Sequence, residues 1–189
     1  YVPTRCIWTV KKSINFSMKR SDINPLPAHH GAYIQKIEDI ELIDALEKYG
    51  EPYWQAEMDK FIALGDKVYA PGKWTVRDMI QHLIDCERIF AYRALRFARN
   101  DKTQLTGFEE NDYAVTAEAS RRSLDDILEE FYAVRGTTIQ LFKSFTNEML
   151  MREGQMPSGS ITVLGIGFAI AGHNKHHMGI LKERYYGIQ

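Results

Sequence analysis

The sequence predicts an all-α protein, a four-helix bundle, from three observations. Four long segments repeat apolar residues at helical spacing. No segment alternates apolar and polar residues as a half-buried strand would. The composition, 44% hydrophobic and 26% charged over 189 residues, is that of an ordinary globular chain. That length suits one domain with a sizeable core. The expected domain is 18–189, with 1–17 as an extension ahead of it, because Met18-Lys-Arg-Ser follows an irregular opening.

Composition also narrows the function. A net charge of -1 lacks the basic excess that phosphate neutralisation requires, so no nucleic-acid partner is expected. The longest apolar run, Ile161 to Ala171, is too short to cross a bilayer, so no membrane partner is expected either. Tyr1 to Ser17 has no continuous apolar stretch before a small-residue cleavage site and does not read as a signal peptide. Cys6 and Cys86 lie far apart in unlike contexts, which argues against a disulfide framework and for a reducing, cytoplasmic setting.

Asp22 to Tyr33, broken by Pro25 and Pro27, reads as an extended arm laid over the bundle, with His29 and His30 solvated or locally hydrogen-bonded. From Asp39 to Leu64, Leu42, Ile43, Leu46, Tyr49, Trp54, Met58 and Phe61 keep helical spacing, but Gly50 and Pro52 interrupt it. One kinked helix or two short ones are predicted. The next helix opens at a capping box, Thr75 with Asp78, and carries a buried stripe through Met79, Leu83, Phe90 and Phe97 to about Asn100. Its Arg88, Arg93, Arg96 and Arg99 read as a solvated face rather than an anion site.

Residues 101–122 show no strong period and read as an ordered connecting loop, where Glu109, Glu110 and Asp112 are the carboxylates able to overhang a site. Ser123 with Asp126 caps the third helix, which runs from Leu124 to Phe145. A second loop, 146–160, contains the turn formers Pro157-Ser-Gly-Ser160. The fourth helix, from about Thr162 to Tyr186, is apolar almost all round and should be the most buried. Its Gly165, Gly167, Gly172 and Gly179 should let a neighbouring helix or the site itself approach closely.

The chemistry concentrates in Ala171-Gly-His-Asn-Lys-His-His177. His173 and His177 stand four residues apart, on one helical face, and His82 lies at the edge of the other helix's buried stripe. Each imidazole at such a position needs a partner for a ring nitrogen. Ordinary hydrogen-bonded core histidines are one reading of the pair. A divalent metal ion that satisfies all three at once is the other, with zinc or nickel the best match and iron or manganese behind them. Three imidazoles leave a coordination position open to water or substrate, and such a site should lose its ion below about pH 6.

Asp78 and Cys86 each lie one turn from His82. His176, about 100° round the helix from His177, fits either an acid–base group or a plain surface histidine. Asn174 stands where a zincin needs glutamate, and Met79 and Asn174 stand where a carboxylate-bridged di-iron bundle needs glutamate, so both classes are disfavoured.

The blocks Gly-Lys-Trp-Thr-Val-Arg-Asp-x3-His82-Leu, Gly107-Phe-Glu-Glu-Asn and Ala171-Gly-His173-x2-His-His177 together resemble the DinB superfamily, also called DinB/YfiT-like proteins. The resemblance spans about Met18 to Gly187. It implies a four-helix bundle with a long crossover connection, a mononuclear metal on His82, His173 and His177, and often a homodimer. Some relatives resemble thiol transferases that use a low-molecular-weight thiol, and others are described as metal-dependent hydrolases. The expected function is therefore a metal-dependent enzyme in which the ion activates water or a thiol against an electrophilic small molecule. Glu109, Glu110 and His176 are the candidate proton-transfer groups. The rival expectation is a non-catalytic, metal-stabilised bundle serving as a stress-related binding or dimerisation module.

Overall fold

The computed structural model describes residues 17–188, so nearly all of the expected 1–17 extension, Cys6 included, lies outside the described residues. The arm makes a 3₁₀ turn at Arg20–Asp22 and one short helix, α1 (Gly31–Ile34). The next segment divides into three helices, α2 (Leu42–Lys48), α3 (Glu51–Gln55) and α4 (Met58–Leu64). Gly50 and Pro52 cause the first break, since α3 restarts with the proline in its first turn. The second break falls at Glu57, whose carboxylate is held by Lys182 at 2.5 Å and by the Tyr186 hydroxyl at 2.9 Å. That tie comes from the far end of the chain, which local spacing does not report.

Helix α5 (Val76–Ala98) starts at the expected capping box: the Asp78 amide donates to Thr75 Oγ1 at 3.2 Å and the Thr75 amide to Asp78 Oδ2 at 2.9 Å. The predicted loop after it contains a helix, α6 (Glu110–Ala117), which buries none of its residues and so carries no apolar stripe. Helix α7 (Leu124–Lys143) is capped by Ser123, and a short α8 (Asn147–Leu150) follows. The second predicted loop contains an antiparallel hairpin, β1 (Glu153–Met156) with β2 (Gly159–Thr162), contrary to the expectation of no strands. Strands this short are below the length at which alternation shows. Gly154 must be glycine there, because a Cβ would sit 2.1 Å from the Phe97 ring. Thr162 then caps α9 (Val163–Ile180), which continues as a π-turn over Leu181–Tyr185. No described helix is long and apolar enough to cross a membrane.

Helix α5 packs against α7 and α9, and α2 closes the bundle against both α9 and α7. The apolar interior falls into two clusters. One includes Phe90, Ala94 and Phe97 of α5 with Val163 to Ala171 of α9; the other includes Val76 to Ile84 of α5 with Met178 and Leu181. The two helices therefore run antiparallel and pass from one cluster to the other at the same level. A buried ion pair crosses the bundle, with Arg135 of α7 donating to both Glu87 carboxylate oxygens at 2.8 and 2.7 Å and to the Leu46 carbonyl at 2.8 Å. This ties α5, α7 and α2 at one point.

The arm is pressed onto α9 at Gly172, where an added Cβ would lie 2.0 Å from the Tyr33 carbonyl oxygen. The obstacle is backbone and cannot rotate away. Gly165 and Gly167 are also close-packed, whereas Gly179 and Gly136 meet nothing within 4 Å. Gly172→Ala should therefore destabilise the fold by about 2 kcal/mol through overpacking, while Gly136→Ala in α7 should stabilise it by about 0.5–1 kcal/mol through helix propensity alone. Urea denaturation of the two variants checks the pair of signs.

Candidate metal centre

The three histidines stand where the two apolar clusters meet. Helix α5 presents His82, and one turn face of α9 presents His173 and His177. All three are buried, at 4%, 6% and 7% exposure. His173 Nε2 lies 3.2 Å from His82 Nε2 and 2.9 Å from His177 Nε2, and the three residues offer nitrogens within 4.8 Å of one another. Ligands of a tetrahedral zinc at about 2.0–2.1 Å would be about 3.3 Å apart, close to these separations.

The protonation states match. Burial alone lowers His82 to about 4, and burial with the neighbouring His82 and His176 lowers His177 to about 3. His173 is held well below the ordinary imidazole value by burial first and the other histidines second. All three rings are neutral at pH 7, the state a metal ligand requires. Hydrogen bonding among them cannot satisfy this arrangement. His173 Nε2 faces two other Nε2 atoms but carries either one proton or one lone pair. A cation placed between them uses all three lone pairs, and this donor set fits a divalent ion.

The outer nitrogens are less well provided for. His82 Nδ1 has the Cys86 thiol at 3.6 Å, and His177 Nδ1 is buried without a hydrogen-bond partner among the described residues. Cys86 is a free thiol that burial, ahead of the nearby Glu110 and Asp85, pushes up to about 12. The Trp74 ring, just ahead of the α5 cap, lies 4.7 Å from His82 and stacks at 6.4 Å on His177.

A cleft of about 290 Å³ opens beside His173 and is bordered by Cys86, Phe90, Glu109, Glu110 and Tyr33. The two candidate carboxylates thus reach the same cleft as one of the histidines, Glu109 also capping α6 through the Asn111 amide at 3.3 Å. Asp112 is exposed and is not among the cleft residues. His176 is half-buried beside Tyr33, ring centroids 5.3 Å apart, and lies outside that cleft.

Two sequence expectations need correcting. His29 is exposed as expected, but His30 is 6% exposed, packs edge-on against Phe90 at 5.6 Å and borders the cleft. Burial, His29 and Arg93 lower its pKa to about 4. Arg93 likewise belongs to the interior, not to a solvated face, while Arg88 and Arg99 are exposed. Both are buried by segments distant in sequence, so neither helical spacing nor composition marks them. The apolar Ile34 and Ile37 just after the arm are the one local hint that it packs inward.

Helical bundles with ligand side chains on facing helices form a familiar class of metal-site scaffold, and this geometry falls within it. The DinB superfamily profile matches residues 48–181, and the chain belongs to that family. Among solved structures it is similar to YfiT from Bacillus subtilis, described as "a probable metal-dependent hydrolase with an unusual four-helix bundle topology". The TM-score is 0.63 at 19% identity, covering 75% of this chain and 82% of that one. At that identity the likeness shows the fold. A comparison with the curated proteins finds no match.

Burial of neutral imidazoles has a measurable consequence. His82 and His177 titrate near 4 and 3 in the fold but near 6.5 when solvated, so between pH 6.5 and 4 the unfolded chain binds protons that the fold excludes. Stability of the metal-free protein should be complete above pH 6.5 and fall as pH drops through this window. Urea midpoints at stepped pH test it: His82→Gln should show a shallower decline, and an equal decline would contradict the assignment.

Proposed function

We propose that the protein is a metal-dependent enzyme that holds one divalent ion on His82, His173 and His177 and acts on a small electrophilic molecule in the adjoining cleft. The observation that carries this reading is the approach of the buried, neutral His173 Nε2 to the Nε2 atoms of both His82 and His177, at 3.2 and 2.9 Å, beside an open cleft. When bound, the ion would supply Lewis acidity toward a water or low-molecular-weight thiol nucleophile and toward the electrophile. Zinc or nickel suits three imidazoles best, with iron or manganese behind them.

The chain's own residues do the rest. The aromatic walls, Phe90 and Tyr33, exclude water and leave the electrostatics of the cleft strong. Glu109 and Glu110, exposed at its rim, are placed to take a proton from an incoming nucleophile or return it to a leaving group. His176 is assigned the lesser part, steadying Tyr33 and the arm from outside the cleft. Hydrolysis, as in the description of YfiT, and thiol transfer use the same arrangement and differ in which nucleophile enters. A homodimer remains part of the proposal on the family resemblance, and a reducing cytoplasm on the two unlike cysteine contexts. A purely structural metal, tying α5 to α9 at the meeting of the two clusters, would not need the cleft.

Elemental analysis of protein purified without a histidine tag should find about one equivalent of a divalent metal. His82→Ala should remove it, and the exposed His29→Ala should not. Less than a tenth of an equivalent, unchanged by incubation with zinc, nickel or manganese, would refute the metal assignment. Full occupancy in His82→Ala would refute the ligand set.

A further inference from the structure

We propose that the cleft beside the three histidines is a carboxylate-recognition site, in which the Arg93 guanidinium receives the acid group of a small, singly charged substrate with an apolar body. This rests on the metal-site reading above and names the class of molecule presented to it. The cleft holds an unbalanced charge. Arg93 is 6% exposed, yet its one hydrogen bond runs from Nη2 to the Thr106 carbonyl at 2.9 Å, and it has no carboxylate partner among the described residues. The bundle's other deeply buried arginine, Arg135, shows the usual solution, with both Glu87 oxygens and a carbonyl in its fork. A buried guanidinium without such a partner is destabilising, and Arg93 leaves Nε and Nη1 for a ligand.

Its position fits that role. His82, Cys86, Phe90 and Arg93 follow one another turn by turn on a single face of α5, and the last three border the cleft together with His173. At 1.5 Å rise per residue, His82 and Arg93 are about 16 Å apart along the axis, so a molecule several bonds long can reach from the guanidinium toward the histidines. The Phe90 and Phe108 rings lie 5.8 and 5.9 Å from the guanidinium carbon, holding it flat and providing an apolar wall.

Neutral His30, lining the same cleft, can donate a hydrogen bond without adding a second cation. The planar fork matches a carboxylate. Glu109 and Glu110 at the rim repel a dianion, which disfavours a phosphate ester.

The test is isothermal titration of the full chain, freed of metal by chelation, with phenylacetate and hexanoate, each against its own amide, and with phenyl phosphate. Both acids should bind at least about tenfold more tightly than their amides, and phenyl phosphate more weakly than phenylacetate. Arg93→Met should erase the acids' advantage, a loss of about 10- to 100-fold, and Arg93→Lys should restore part of it. Circular dichroism establishes that the variants fold. Should Arg93→Met not fold, Glu110→Gln keeps the guanidinium and removes a rim charge, and it should tighten acid binding several-fold.

Equal binding of acids and amides, no binding of either acid, or an acid preference that survives Arg93→Met overturns the proposal. So does tighter binding of phenyl phosphate, or Glu110→Gln without effect. A protein that takes up no metal but prefers acids fails only the metal reading. One that holds metal on the three histidines but shows no acid preference fails only this one.

Discussion

Three neutral imidazoles are enclosed where two apolar clusters meet, and most of the molecule can be understood from that constraint. Buried ring nitrogens must be partnered, yet His173 Nε2 faces two competitors and can satisfy at most one. The surrounding residues add to the isolation. Trp74 stacks beside the rings, and Gly172 lets the arm's backbone close over α9 next to His173. Burial then keeps the rings unprotonated. The same packing that makes the cluster unfavourable on its own leaves it a donor set that fits a cation.

Helices α5 and α9 hold the histidines, but the segments between the long helices build the cleft. The arm contributes His30 and Tyr33, the stretch leading into α6 contributes Phe108, Glu109 and Glu110, and the hairpin turn contributes Pro157 and Ser158. The long helices position the histidines and the connecting segments shape what approaches them. The buried Glu87–Arg135 pair stiffens the scaffold from the other side by fixing α5 to α7.

The long elements were legible because their apolar residues recur at helical spacing, and α5, α7 and α9 also open on a capping side chain. Thr75 and Ser123 accept amide hydrogen bonds at the heads of α5 and α7 where capping chemistry placed them, and Thr162 does the same for α9. The histidine cluster was legible for a related reason: a four-residue spacing on the most apolar helix has a fixed geometric meaning, and His82 lay on the matching stripe. The short elements lack an apolar period long enough to read, although Glu109 caps α6. Helix α6 buries nothing, and the hairpin strands are four residues each. Burial of His30 and Arg93 depends on chain segments far from them in sequence, and residue type alone argued for solvent.

X-ray absorption at the metal edge of protein purified without a tag most directly tests whether the three imidazoles hold the ion. For zinc, the account predicts three nitrogen neighbours at about 2.0–2.1 Å, accompanied by the outer-shell scattering of imidazole rings. A sulfur neighbour near about 2.3 Å, which would put Cys86 on the ion, or the absence of imidazole scattering, would contradict it.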